Sequence, residues 1–202
     1  MAVPISPGEP WGQPTVATTH APICSDDRST ARSVIAGHEP VVRGGDLALA
    51  LGVAGEGDPT LRLPVDIFVV RHVDSGREIA RGIAHAVVHR SGPLGWLRDS
   101  ATVIANTEYV HGRQLLPRAH PNDGLLDRLE IDATMPSRQR LQAIRRARVG
   151  NHLPHPDMRA TRGDRFTVDV NRRSRLVVDG QSISVRGAVV IEVVVDGGAV
   201  NI

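Results

Sequence analysis

From residue 61 onward the chain is built of short runs of Val, Ile, Leu and Ala separated by Gly, Pro and Asp-Gly pairs. Apolar runs of this kind, bounded by turn residues, predict strands. They fall at residues 63–71, 77–89, 101–106, 128–133, 165–170, 175–178, 182–186 and 188–195. One interruption has a helical period: Ser137 stands where an N-cap would, Leu141, Ile144 and Ala147 recur on one face, and Gly150 closes it. Residues 40–52 read as strand, glycine turn and short helix, with Asp46 as N-cap and Gly52 as the C′ residue. Residues 1–40 are rich in Pro, Ser, Thr, Gly and Ala without a clear period, which predicts a loosely ordered arm or the remnant of something larger. The expected fold is mainly β (α+β): a β-sandwich or distorted barrel with one or two helices over residues 41–202.

Composition sharpens this picture. Hydrophobic residues make up 41% of the chain but aromatics only 2%, so the core must come from Val, Ile, Leu and Ala, which favours strands. No apolar stretch is long enough for a transmembrane helix. The first twelve residues lack the basic and apolar regions of a leader peptide. Cys24 is the single cysteine, which fits a reducing, cytoplasmic setting and excludes an internal disulfide framework. All 24 basic residues are arginine. With no lysine, a P-loop lysine, a Schiff base and a lysine general base are excluded. The net charge is only +2 because 22 carboxylates interleave with the arginines, so nucleic-acid binding is not implied.

Five features have candidate chemistry, each weighed beside a plainer structural role. In Asn122-Asp123-Gly124-Leu125-Leu126-Asp127 the Asp-Gly pair reads as a turn, while Asp123 and Asp127 together are hard oxygen ligands suited to Mg²⁺. Val178-Asp179-Gly180-Gln181 reads as a hairpin turn, or presents Asp179 as a general base toward a hydroxyl. Gly44-Gly45-Asp46 before a short helix is a turn that could offer backbone N–H groups to a phosphate. His85 and His89 have the spacing of a zinc helix, but they lie in strand-like sequence without an intervening Glu. The arginine-rich helix at 137–150 reads as a solvated face, with anionic headgroups or nucleic acid as the sharper alternative.

The order of these motifs resembles the diacylglycerol kinase-like lipid kinases, which include bacterial lipid kinases and sphingosine kinases. The run from Asn106-Thr107-Glu108-Tyr109 through Gly112, Pro117 and Ala119 to Asp123-Gly124-Leu125-Leu126-Asp127 is similar to that family's Asn-Gly-x-Tyr, Gly-Gly, Pro-x-Ala and Asp-Asp-Gly-x-Leu-Asp segment. Gly150-Asn151-His152 resembles its Gly-x-His stretch, and Asp179-Gly180-Gln181 stands where the family has Asp-Gly-Glu. Gly44-Gly45-Asp46-Leu47-Ala48 resembles its Gly-Thr-x-Asn-Asp-Phe-Ala segment with a residue lost.

The resemblance implies an ATP-binding lobe, reduced here to residues 1–40, and a C-terminal β-sandwich lobe that holds lipid. It implies ATP-dependent phosphorylation of a lipid hydroxyl with Asp179 as base, Gly44, Gly45 and Asp46 at the nucleotide, and Mg²⁺ on Asp123 and Asp127. The family's Gly-Gly-Asp-Gly-Thr loop is not found, and Gln181 replaces a Glu. The expectation is therefore a reaction incomplete in this chain alone, with a complementing ATP-binding protein as partner. The alternative is a non-catalytic module that binds a lipid, another hydroxyl-bearing molecule or a protein. Either would act in the cytoplasm or at the inner membrane surface.

Overall fold

The computed structural model describes residues 11–15, 20–53, 57–92 and 94–202. The leader-peptide reading falls mostly outside them. The N-terminal part comprises β1 (Gln13–Pro14), β2 (Ile23–Cys24), α1 (Asp27–Ile35), β3 (Val41–Val42) and α2 (Asp46–Ala50). Then come β4 (Leu61–His72), β5 (Glu78–Gly82), β6 (His85–Arg90), α3 (Gly95–Arg98) and β7 (Ala101–Ala105). A small hairpin, β8 (Tyr109–Val110) and β9 (Arg113–Gln114), precedes β10 (Leu126–Ile131) and α4 (Ser137–Arg146). The chain ends in β11 (Met158–Gly163), β12 (Arg165–Val170), β13 (Ser174–Val178), β14 (Gln181–Ile183) and β15 (Gly187–Asn201).

Two sheets face each other. The seven-stranded sheet runs β1-β4-β15-β3-β2, with β12 also on β15 and β5 also on β4. The six-stranded sheet runs β11-β10-β7-β6-β13-β14. Between them Phe68, Val70, Val189 and Ile191 of one sheet meet Ala86, Ile104, Leu126 and Leu176 of the other. The β-sandwich expectation holds; the described residues form no closed barrel. The six-stranded sheet is buried on its second face too. Strand alternation turns Ile104 to the sandwich and Val103 and Ala105 outward, where they pack with Leu129, Met135 and Ala143.

Three expectations are corrected by the packing. The run at 77–89 is not one strand: β5 and β6 belong to different sheets, and the chain crosses between them at Ile83-Ala84. The helix at 137–150 ends its α-form at Arg146, followed by a 3₁₀ turn, and its inner face is Arg140, Ala143 and Ala147, while Leu141 is exposed. Arg140 is buried because its guanidinium donates to the carbonyls of Met135, Trp96, Asp99 and Asp132, so charge there closes loop ends instead of facing solvent.

The third correction concerns residues 20–40, which are not a loose arm. The side chain of Asp26 accepts from Ser29 N at 2.8 Å and caps α1. Ala31 and Val34 pack on Val65, Ile67 and Val200 of the seven-stranded sheet. β2 and β3 then pair in parallel, and β3 joins β15, so a small βαβα unit is fused to the sheet edge.

Candidate functional site

The βαβα unit is joined to the sandwich by a relay of carboxylates. Asp27, first residue of α1, accepts from the backbone N–H groups of Asp46 (2.8 Å) and Leu47 (2.9 Å) at the start of α2. Burial raises its pKa above the ordinary carboxylate value, and these two N–H bonds pull it back. The close approach explains the glycines: a Cβ on Gly44 would strike the Ser25 backbone, and one on Gly45 (φ +93°) would lie 2.7 Å from Asp27 N. Gly44, Gly45 and Asp46, the expected nucleotide-binding residues, thus surround an internal carboxylate set on the amides a phosphate would need.

Asp46 in turn accepts from His111 N (2.6 Å) and Gly112 N (2.7 Å), fixing the turn of the β8–β9 hairpin, where His111 has φ +52°. Its carboxylate Oδ2 lies 3.4 Å from Nδ1 of His85, the first residue of β6. The rings of His85 and His111 meet edge to face with centroids 5.2 Å apart. His85 is only 2% exposed, and burial pushes its pKa down to about 4 against the pull of Asp46. His85 and His89, noted for their spacing and set aside as a zinc pair, go to different neighbours: His89 Nε2 accepts from Arg175, and the fold brings His85 against Asp46 and His111.

Asp179 lies on the same side of the sandwich but is turned inward. It occupies the β13–β14 turn with φ +43° and accepts from the N–H groups of Ile83 (2.8 Å), Ala84 (3.1 Å) and His85 (2.9 Å). Burial pushes its pKa up to about 7, against those three bonds. The carboxylate expected to act as general base thus satisfies the backbone where the chain crosses from β5 to β6.

Asp123 and Asp127 form a separate cluster with Arg162 of β11. The guanidinium Nη2 contacts Asp123 Oδ2, and Nε donates to Asp127 Oδ2 at 3.0 Å. The two carboxylates expected to hold Mg²⁺ are bridged by a fixed cation, so they do not fit the ion. Burial raises both pKa values, and Arg162 opposes the rise. The neighbouring turn is secured by Asp66, which is fully buried and accepts from Gly124 N (2.7 Å) and Asp196 N (2.8 Å). Burial brings Asp66 up to about 6.

On the outer face of the six-stranded sheet, α4 and the β8–β9 hairpin border a half-open cavity of about 630 Å³. Its apolar wall includes Val87, Val103, Leu115, Met135, Ala143 and Met158. His89, His111, Arg113 and Arg175 supply polar groups. Arg175 donates to His89 Nε2 at 3.1 Å, and neither Arg113 nor Arg175 has a carboxylate partner among the described residues.

Sequence reasoning missed Asp27, Asp66, His111 and Arg162. The adjacent Asp26-Asp27 pair before a helix was a legible cap signal; the other three act through partners dozens of residues away, which spacing does not reveal.

The family model described as "YegS C-terminal NAD kinase beta sandwich-like domain" matches residues 84–202. A solved structure of a diacylglycerol kinase from Bacillus anthracis str. Sterne shares the fold with TM-score 0.51 at 15% identity, over 80% of this chain and 68% of that one. Another structure from that organism reaches TM-score 0.58 at 15% identity, over 81% of this chain and 69% of the other. Among curated proteins none matches the chain.

Proposed function

We propose, for a chain that belongs to the family of the YegS C-terminal NAD kinase beta sandwich-like domain, that it binds a single-chain lipid in the cavity beneath α4 and does not itself transfer a phosphoryl group. The observation that supports this most is the cavity of about 630 Å³ walled by aliphatic side chains and Met. Small-molecule sites run from roughly 300 to 1,000 Å³, and each buried methylene contributes about 0.8 kcal/mol. An alkyl chain fits that wall better than any strongly polar ligand. Arg113 and Arg175, free of carboxylate partners among the described residues, suit an anionic or hydroxyl-bearing head.

Phosphoryl transfer needs free donors for the phosphates, a divalent cation and a base at the acceptor. Each candidate for those roles is engaged internally. Asp27 sits on the α2 amides, Arg162 bridges Asp123 and Asp127, and Asp179 holds three backbone N–H groups. A carboxylate on the amides also repels phosphate.

The test is to incubate the purified chain with vesicles of mixed lysophospholipids, fatty acids and diacylglycerols, repurify it, and weigh the intact complex by native mass spectrometry. One single-chain lipid per protein is expected. A chain that emerges bare from every mixture overturns the proposal.

A further inference from the structure

We propose that Asp46, His85 and His111 form a binding site for one dication of the zinc type, where α2, β6 and the β8–β9 hairpin converge. Each of the three offers one ligand atom, and these atoms lie within 4.8 Å of one another. No other group of this kind occurs among the described residues.

The second, independent observation is His85 itself. It is 2% exposed, yet neither ring nitrogen has a hydrogen-bond partner among the described residues. Buried polar groups are normally paired, so an imidazole with both nitrogens unpaired, turned toward a carboxylate and a second imidazole, calls for a partner the described residues do not supply. A histidine simply packed in the core would close on Asp46 to hydrogen-bond distance, about 2.9 Å. The observed separation of His85 Nδ1 from Asp46 Oδ2 is 3.4 Å. Two ligands on one tetrahedral ion, with bonds of about 2.0–2.1 Å, stand roughly 3.3–3.4 Å apart.

The two rings tell the same story. An imidazole bound through nitrogen puts its centre about 3.2 Å from the ion, so two at the tetrahedral angle have centres about 5.2 Å apart. The centroids of His85 and His111 are 5.2 Å apart and their planes are inclined at 71°. The frame is also pre-set. Asp27 holds the N–H of Asp46, and the Asp46 carboxylate holds the N–H groups of His111 and Gly112, which orients the ligands as outer partners of metal sites do.

Two imidazoles and a carboxylate favour Zn²⁺ and its neighbours over Mg²⁺ or Ca²⁺, which prefer all-oxygen cages. His111 is exposed and also lines the cavity, so an ion reaches the site from solvent and lies at the cavity's edge.

The full chain, stripped with chelator, is titrated with Co²⁺ and followed by visible absorption, then with Zn²⁺ in competition. One Co²⁺ per chain is expected, with the intense bands of a four-coordinate site, abolished by Zn²⁺. His111→Gly keeps the left-handed backbone and removes one ligand. It should weaken binding by more than the roughly 10–100-fold that loss of an outer partner costs, while its circular dichroism stays that of the parent. His111→Asn, which also tolerates the backbone, gives the same readout should the glycine variant unfold. His38→Ala, an exposed histidine outside the cluster, should bind like the parent. No saturable Co²⁺ or Zn²⁺ binding, or binding unchanged in both His111 variants, overturns the site. None of these readouts involves lipid, so the outcome is independent of the cavity's ligand.

Discussion

Removing Arg162 tests whether an internal cation stands where a divalent ion was expected. Arg162 joins Asp123 and Asp127, whose side chains are 19% and 7% exposed, while its own is 27% exposed. Deleting one member of a buried ion pair costs roughly 3–5 kcal/mol because the opposite charge is left unpaired. The partial exposure of Arg162 and Asp123 puts Arg162→Ala at the lower end, about 3 kcal/mol. For a chain of this size that lowers the melting temperature by about 6–12 °C, at roughly 2–4 °C per kcal/mol. The variant also leaves two carboxylates facing a common space. If Mg²⁺ then binds with Kd near 1 mM, a 10 mM concentration restores about 1.4 kcal/mol, or roughly 3–6 °C. Thermal unfolding of both proteins, each with and without 10 mM MgCl₂ at constant ionic strength, gives the answer. The reasoning is refuted if the variant melts with the parent, or if Mg²⁺ stabilises the parent as much as the variant.

Two further substitutions probe individual bonds. Asp179→Ala should be less stable than Asp179→Asn by at least about 1 kcal/mol in urea unfolding, because Asn tolerates φ +43° and keeps a carbonyl acceptor; equal midpoints would contradict the structural role given to Asp179. His152, 4% exposed, donates from Nε2 to Leu115 O at 2.9 Å, and burial lowers its pKa below 6.5. A lowered histidine contributes stability that is present above about pH 6.5 and lost as pH falls below it. The deficit of His152→Gln relative to the parent should therefore narrow as the pH falls from 7.5 to 5; parallel pH profiles would show that His152 does not titrate in this way.

Much of the sandwich was legible in the sequence because its strands are short, aliphatic and punctuated. The run predicted at 165–170 coincides with β12, and those at 101–106 and 175–178 differ from β7 and β13 by a residue at one end. The crossing at Ile83-Ala84 was not legible. Locally, residues 77–89 look like one uninterrupted strand, and only the remote Asp179 carboxylate removes three amides from the ladder. α1 was missed for a different reason. Its buried face includes Thr30 and Ser33 beside Ala31 and Val34, so burial there leaves little hydrophobic signal.

The candidate site divides along the same line. Asp46, Asp123, Asp127 and Asp179 were all singled out from the sequence, but a motif gives residue type and order, not what faces the carboxylate. In each case the facing group comes from far along the chain: His85 and the His111–Gly112 amides for Asp46, Arg162 for the Asp123–Asp127 pair, Ile83 to His85 for Asp179. His85 shows the limit most clearly. Its i, i+4 partner His89 bonds Arg175, while the groups beside it come from α2 and a hairpin turn.

The measurement that bears most directly on the central claim is a displacement titration of a fluorescent single-chain lipid from the parent and from Ala143→Trp. Ala143 lines the cavity and is 8% exposed, so an indole there fills the space an alkyl chain would use. Saturable, one-to-one binding to the parent is expected, with at least about tenfold weaker binding to the variant, a difference of about 1.4 kcal/mol. Equal affinity for both proteins, with the variant folded, would place the lipid elsewhere and contradict the claim.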